Sequence, residues 1–289
     1  MIHFSIIIPT YNRSELLKRA LLSVIAQEYN HWEVVVVDDG GNDDTATMIE
    51  GLADERIRYC WKENEERGIA RNYGVQQAIG DYVFFLDSDD IIFPNHLVNA
   101  SQHLVHLNHP EFFHARYQEW YDHKKVNSPA LNPMNIRQKI TEQNQFACQF
   151  FLRKDIALKF PFTADRNLKI GEDWLVILQV AARFPIHISN EYTSAIIHHG
   201  DRSMEVASSE EILCSRDIII EVLKKDEAIP TKTLTNVHAE LTSLAALAAS
   251  ISGKKKVSWR LLMKAIREKG NFILKKRTYA TLKKLVVGK

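Results

Sequence analysis

Glycine is scarce in this chain, with 11 among 289 residues. No G-x-G-x-x-G follows the first strand-like run, and no G-x-x-x-x-G-K-[ST] occurs anywhere. Those motifs cradle phosphate in backbone N–H groups, so their absence argues against a dinucleotide dehydrogenase or a P-loop NTPase. Cysteine is equally sparse. Cys60, Cys148 and Cys214 stand far apart and none lies in a C-x-x-C pair, so neither a zinc site nor a disulfide framework is indicated, and isolated thiols fit a reducing compartment. The start of the chain shows no basic n-region and no small-residue cleavage site. The longest apolar stretch, Leu241 to Ile251, is too short and too rich in Ala and Ser to span a bilayer. The expected location is the cytoplasm. A formal net charge of +1 excludes little on its own, because the charge is unevenly spread.

What is present is an alternation of strand and helix signals. Phe4 to Ile8 is a β-branched run stopped at Pro9, as in a buried parallel strand. Ser14 reads as the N-cap of a helix with Leu17, Leu21, Val24 and Ile25 on one face. Val34 to Val37 predicts a second buried strand, ending in Asp38-Asp39-Gly40-Gly41. A helix through Met48 to Leu52, a strand at Ile57 to Trp61, a helix at Ile69 to Ala78 and a strand at Tyr82 to Leu86 follow. This is the pattern of βαβ units and a mainly parallel sheet. Further on, Glu111 to Tyr121 reads as a strand leading into a loop, Gln145 to Leu152 as a strand, Asp173 to Arg183 as a helix and Thr193 to His198 as a last strand. From about Met204 the pattern is helical. The expected division is a domain over 1–204 and a helical, basic segment over 205–289.

In such sheets ligands sit beyond the carboxyl ends of the strands, and three ends carry useful chemistry: Pro9-Thr10-Tyr11-Asn12-Arg13, Asp38-Asp39 and Asp87-Ser88-Asp89-Asp90. The last follows a wholly apolar strand. Its carboxylates are hard oxygen ligands suited to Mg²⁺ or Mn²⁺ bridging phosphate oxygens; the other reading is an Asx turn capping a helix near Pro94. Asp39 suits hydrogen bonding to a nucleoside, with Tyr11 packing on the base, and equally suits a turn before a helix at Thr45. Arg71, near a helix start, suits either an anion or a surface salt bridge. In Gly171-Glu172-Asp173-Trp174 a carboxylate serves either as a general base or as a complement to the helix dipole. His198-His199 closes the last strand, and of the two His199 is the better placed to complete a metal sphere.

Together these segments resemble the inverting glycosyltransferases of family 2, which have the GT-A fold: a Rossmann-like, mainly parallel sheet flanked by helices, here with a C-terminal helical extension. The matching text is Ser5 to Arg13, Val36 to Gly40, Gly68-Ile69-Ala70-Arg71-Asn72-Tyr73-Gly74, Phe85 to Asp90 and Gly171 to Trp174, in order over roughly the first two hundred residues. The resemblance implies a nucleotide site of Pro9, Thr10, Tyr11, Arg13, Asp39, Arg71, Asp87 and Ser88. It implies a metal held by Asp89 and Asp87, with His199 the added candidate, and Asp173 as catalytic base. Gly41 replaces the serine that usually follows Asp-Asp-Gly in the family. The implied reaction moves a sugar from a nucleotide sugar, a UDP-sugar above all, to a saccharide or lipid-linked acceptor with inversion at the anomeric carbon, in the synthesis of cell-surface glycan or polysaccharide.

Donor choice is expected from the surroundings of Asp87 and Trp174, acceptor choice from Arg116, Tyr117 and Trp120, and a lid from Gly200 to Glu211. After Ser252 about a dozen Lys and Arg face a single acid, Glu268, with apolar residues interleaved. That pattern fits an amphipathic helix on the inner face of an anionic membrane or a helical cap with a solvated basic face; no nucleic-acid-binding module is recognisable. Two other readings compete. A sugar-nucleotidyltransferase would want a glycine- and arginine-rich loop after the first strand. A non-catalytic nucleotide-binding scaffold would have no need of both Asp89 and Asp173.

Overall fold

The computed structural model describes residues 1–199, 207–270 and 275–287. Two compact units divide them. Met1–Arg137, Phe146–Ala164 and Phe184–His199 form the first. Gln138–Gln145, Asp165–Arg183 and the described residues after His199 form the second. The expected boundary at 204/205 and the first part of the expected lid, 200–206, lie outside the described residues, as do Phe272, Ile273 and Leu274.

The first unit is built on strands β1 (Phe4–Thr10), β2 (Trp32–Asp39), β3 (Ile57–Lys62), β4 (Tyr82–Phe85), β5 (Ile91–Ile92), β6 (Phe112–Tyr121), β7 (Lys124–Asn127), β8 (Phe151–Arg153) and β9 (His187–Ile197). They form one sheet in the order β3-β2-β1-β4-β8-β6-β9-β5, with β7 on β6. The β3-β2-β1-β4 half is parallel. Its β1 and β2 are buried along their whole length, which is why they read as unbroken apolar runs rather than as alternation. Thr10 lies opposite Asp38, and Asp38 and Asp39 lie opposite Trp61 and Lys62. The carboxyl ends of these strands therefore share one edge.

Helix α1 (Ser14–Ile25) buries Leu17, Ala20, Leu21 and Val24. Ser14 is its first turn and not its cap. Arg13 occupies that position without a side-chain cap, and the Ser14 N–H is satisfied from outside the helix by Asp43 Oδ2 at 3.0 Å. Helix α2 (Thr45–Leu52) and helix α3 (Arg67–Gln77) follow β2 and β3. Helix α3 packs tightly on β1, because a β-carbon at Gly74 would lie 2.4 Å from Ile7 Cγ2. After β4, Asp87–Asp90 forms a turn closed by the Asp90 N–H on Asp87 O at 3.0 Å. The short β5 and the Asn95-capped helix α4 (His96–His106) come next, so none of the turn's acids caps that helix.

The second half of the sheet differs from expectation in extent. Of Gln145 to Leu152 only Phe151 and Leu152 join a ladder, within β8. Phe146 and Phe150 are held instead by ring packing on Phe112, at 5.3 and 5.4 Å between centroids. The last strand begins at His187, six residues before Thr193, and runs parallel to β6 through an irregularity at Arg116. Tyr121 leads into the β6–β7 hairpin rather than a loop.

The short helices α5 (Ile136–Glu142) and α6 (Lys154–Lys159) precede helix α7 (Glu172–Ala181), which in the second unit buries most of its residues. The long helix Thr231–Ile251 makes contacts with helices Ser209–Lys224, Lys255–Glu268 and Lys276–Val287. Fully buried Ala239, Ala245, Ala246 and Ala249 let backbones approach, and Ser258 Oγ donates to Ala246 O at 2.8 Å. The helix Ser209–Lys224 starts with a reciprocal capping box between Ser208 and Glu211. Among the described residues no helix is long and apolar enough to cross a membrane.

Candidate active site

The end of β2 carries two carboxylates with different work. Asp38 is committed to structure: Oδ1 accepts from the Gly41 N–H at 2.8 Å and Oδ2 from the Tyr59 hydroxyl at 2.7 Å. Burial, then that bond and the Asp38 charge, push the Tyr59 phenol pKa up. Asp39 is buried too, and its Oδ1 accepts from Lys62 Nζ at 2.9 Å and from the Glu65 N–H at 3.0 Å. Its Oδ2 has no protein donor among the described residues and remains an acceptor. Asn64 Nδ2 donates to Asp39 O at 2.8 Å, so the segment after β3 is tied to the end of β2. Burial disfavours the Lys62 ammonium, but hydrogen bonds and charges from Glu65 and Asp39 outweigh it and raise its pKa. Lys62 thus stays a cation beside Asp39. Neither acid caps α2, whose N-cap is Asp44.

Around β1, Pro9 and Thr10 are buried strand residues. Thr10 Oγ1 is enclosed without a hydrogen-bond partner. Tyr11 is 51% exposed at the strand's end, a ring face open to a ligand. Asn12 takes a left-handed φ of 50° and accepts from the Asn42 N–H at 2.8 Å, linking the loops after β1 and β2.

Beyond β4 the acids gather. Ligand atoms of Asp87, Asp89 and Asp90 all lie within 4.8 Å of one another. Asp87 Oδ1 accepts from Arg71 Nη2 at 2.7 Å, and the Arg71 side chain is only 2% exposed. Its guanidinium carbon stands 5.2 Å from the Phe162 ring centroid. This is a buried guanidinium on α3 aimed at the acid cluster, not a surface salt bridge. Asp89 Oδ2 meets His199 Nε2 at 2.8 Å and Arg13 Nη1 at 3.4 Å, and its carbonyl accepts from Arg19 Nη2 at 2.7 Å. Ser88 between them is buried. The adjoining His198 points elsewhere, with Nε2 3.1 Å from Glu119 Oε2 and its ring stacked at 4.0 Å on Tyr121. Oxygen donors at this separation, with an imidazole nitrogen against one of them, suit a single hard divalent cation.

Asp90, third of the cluster, braces it. Oδ1 accepts from the Ile197 N–H at 3.0 Å and Oδ2 from Gln149 Nε2 at 3.1 Å. Gln149 Oε1 in turn accepts from Ser194 Oγ at 2.6 Å. This network, Lys62 and Arg19 escape a reading of the sequence, because their partners lie tens of residues away. The visible signal is only a third Asp where a two-ligand motif needs two.

In the second unit Asp173 stands in the first turn of α7, after Gly171 at φ 84°. Its Oδ2 accepts from Asn144 Nδ2 at 2.8 Å and its Oδ1 from the Trp174 N–H at 2.8 Å. Trp174 is 2% exposed and donates to Ile140 O at 2.7 Å. It is a core residue. Arg116 likewise is buried. It donates to Ser128 O and packs 4.2 Å over Tyr192, bracing β6 rather than facing an acceptor.

Known proteins share this architecture. The chain is 32% identical over 184 residues, 62% of its length, to an uncharacterized glycosyltransferase of Rickettsia bellii, and the match spans 26% of that protein. It covers less than a third of the length of the curated relatives it matches first. The S. aureus TarS 1-349 crystal structure in complex with UDP-GlcNAc superposes with a TM-score of 0.70 at 19% identity, covering 98% of this chain and 88% of that one. The mannosyltransferase PcManGT of Pyrobaculum calidifontis, in complex with GDP-Man and Mn²⁺, superposes with a TM-score of 0.60 at 15% identity, covering 99% and 85%. Those two likenesses establish the GT-A fold. The profile described as Glycosyl transferase family 2 matches residues 5–157. With more than half its length so matched, the chain belongs to glycosyl transferase family 2.

Proposed function

We propose that this chain is a metal-dependent, inverting glycosyltransferase that takes a nucleotide sugar, UDP-linked, as donor for an acceptor hydroxyl in glycan synthesis. One observation carries the reading. Asp87, Asp89 and Asp90 gather at the carboxyl end of β4, with His199 against Asp89 and the buried Arg71 guanidinium 2.7 Å from Asp87. A group of this kind has charge and donors to hold a diphosphate together with its cation. The TarS complex with UDP-GlcNAc and the PcManGT complex with GDP-Man and Mn²⁺ support a nucleotide-sugar donor and a divalent ion.

Asp39 Oδ2, with no protein donor among the described residues, accepts the imide N–H of uracil, and the exposed Tyr11 ring packs on the base. Pro9 and Thr10 shape the floor, and Ser88 lines the turn. Asp89 and Asp87 hold Mn²⁺ or Mg²⁺, with His199 completing the set. When bound, the ion offsets charge on the departing diphosphate. Arg71 and Arg13 add fixed positive charge there. Asp173 takes the proton from the acceptor hydroxyl as it attacks the anomeric carbon from the face opposite the nucleotide. Asn144 keeps one carboxylate oxygen oriented.

A panel of nucleotide sugars, assayed with Mn²⁺ and with Mg²⁺ for nucleoside diphosphate release, tests the reading. UDP-sugars should turn over and the metal-free protein should not. Asp173→Asn should cut turnover by about 10²–10⁴-fold, the range for losing a positioned base, with donor affinity unchanged. Equal turnover by that variant would remove the base assignment, and equal turnover without metal would remove the metal.

A further inference from the structure

The cations of the last two described helices divide into two populations. One faces inward and is neutralised. Lys275 Nζ and Arg277 Nη1 both pair with the buried Glu240, at 2.6 and 2.7 Å, and Lys269 pairs with Glu142 at 3.2 Å. The other faces outward and has no acid. On the helix Lys255–Glu268, Ser258, Leu261, Leu262 and Ala265 are buried, which turns the opposite stripe outward. That stripe carries Lys256, Arg260 and Arg267 with the part-exposed Met263, at i, i+4, i+7 and i+11. The three cations are exposed, and among the described residues none has a carboxylate partner. Trp259, 53% exposed, stands on the same face. On the helix Lys276–Val287 the buried Thr278 and Thr281 leave Lys276, Tyr279 and Lys283 outward, with Tyr279 73% exposed.

A solvated basic face would not be expected to carry an exposed indole and an exposed phenol ring in addition. Large aromatic rings lose free energy in water, whereas Trp and Tyr are favoured where an apolar phase meets a wet one. We infer that the outward face of the helix Lys255–Glu268 docks the protein on an anionic bilayer. Lys256, Arg260 and Arg267 then meet lipid phosphates, and Trp259 enters the headgroup region. The charge is complementary to anionic lipid, and the helix lies in the interface plane without crossing it. A nucleic-acid partner would use the same cations, but with its aromatics stacked on unpaired bases. Met263 within the stripe has no counterpart in such a site. The inference does not depend on the donor or the catalytic residues assigned above.

Sedimentation of the full chain with phosphatidylcholine vesicles, with and without phosphatidylglycerol, tests it. The protein should sediment with the anionic vesicles only and be released by salt. Replacing Lys256, Arg260 and Arg267 together by Gln should weaken binding by about 100-fold, from roughly 1 kcal/mol per cation near the surface. An equal charge change at exposed Lys18, Lys124 and Lys225 should leave most of the binding intact. Trp259→Ala should weaken binding to the same vesicles even at low salt. The inference is overturned if the triple variant binds as the parent does, if the two charge-matched variants lose equal affinity, or if the parent stays in the supernatant. It is also overturned if the parent binds a single-stranded oligonucleotide more tightly than the anionic vesicles.

Discussion

At Gly41 a β-carbon would lie 2.6 Å from Asp38 Oδ1 and 3.1 Å from Asn12 Oδ1. The Asp38 carboxylate is not free to move away, since it is buried and held by the Gly41 N–H and by Tyr59. The serine usual at this point in the family therefore has no room in this chain, and the missing hydroxyl follows from the tight turn. Gly41→Ser should cost about 1–3 kcal/mol, the range for forcing atoms into a packed site. Denaturant titration measures it, and weaker nucleotide binding should accompany it because Asn12 links the same loops. Asp89 poses the complementary case, in which charge and not space decides. Its Oδ2 is approached by His199 and Arg13, and both lose their anion in Asp89→Asn. Mn²⁺ should raise the unfolding midpoint of the parent, by about 2.7 kcal/mol of stabilisation when the ion stands at a hundred times its dissociation constant. In the variant that rise should vanish while the metal-free midpoint stays close to the parent's. A retained Mn²⁺ response would move the ion to other ligands.

Among the elements, the parallel half of the sheet is legible from its residues. Val34 to Val37 and Phe4 to Ile8 have no polar alternation, so each announces a strand buried on both faces, and the acids that stop Val34 to Val37 announce the ligand edge. The other half, of mixed direction, is opaque for the converse reason. His187, Ser189, Asn190 and Glu191 show no apolar period, yet they belong to β9: β6 pairs with His187 and Ser189, and the irregularity at Arg116 passes over Asn190 and Glu191. Phe146 and Phe150 look like strand residues but sit in a ring cluster. Of the site, the acids at the strand ends are visible as motifs, whereas Lys62 and the Asp90–Gln149–Ser194 chain become visible only when distant strands meet. That chain joins the turn after β4 to β9, whose next residues are His198 and His199. Asp90→Ala would leave the Ile197 N–H and the Gln149 amide without their acceptor in a buried setting. The expected loss is about 1–3 kcal/mol for each orphaned donor. Turnover should fall further than stability alone explains, since the strand end that sets His199 against Asp89 is loosened. Asp90→Asn, which keeps one acceptor, should recover part of both. Wild-type turnover in Asp90→Ala would show that the brace has no bearing on the metal.

Across the molecule as a whole, the response to acid follows from two histidines sealed in the first unit. His96 is 1% exposed, lies 4.6 Å from Phe84 and 5.2 Å from Phe151 between centroids, and meets Thr193 Oγ1 through Nδ1 at 2.8 Å. His114 is fully buried and holds Gln149 O at 2.8 Å. Burial first, then the charge of neighbouring groups, depresses their pKa values to about 3 and about 4, from an ordinary 6.5. Both are thus neutral in the folded protein while the unfolded chain binds their protons. Stability is complete above the unfolded value and falls as pH drops from about 6.5 toward 4, at up to about 1.4 kcal/mol per pH unit for each histidine. Burial opposes the ionised form of Glu33, but hydrogen bonds from Ile79, Ser5 and Arg58 lower its pKa overall from an ordinary 4.5, so its contribution begins to be lost only as pH falls below that value, at the acid end of this window. Urea unfolding at successive pH values should give a slope approaching twice the single-histidine value. His114→Phe, which keeps a ring against Phe146, should reduce that slope by one histidine's share and lower stability near neutrality through the lost bond to Gln149. A slope unchanged in that variant would mean that His114 is protonated or solvated in the folded state, and the acid response would then belong to the carboxylates.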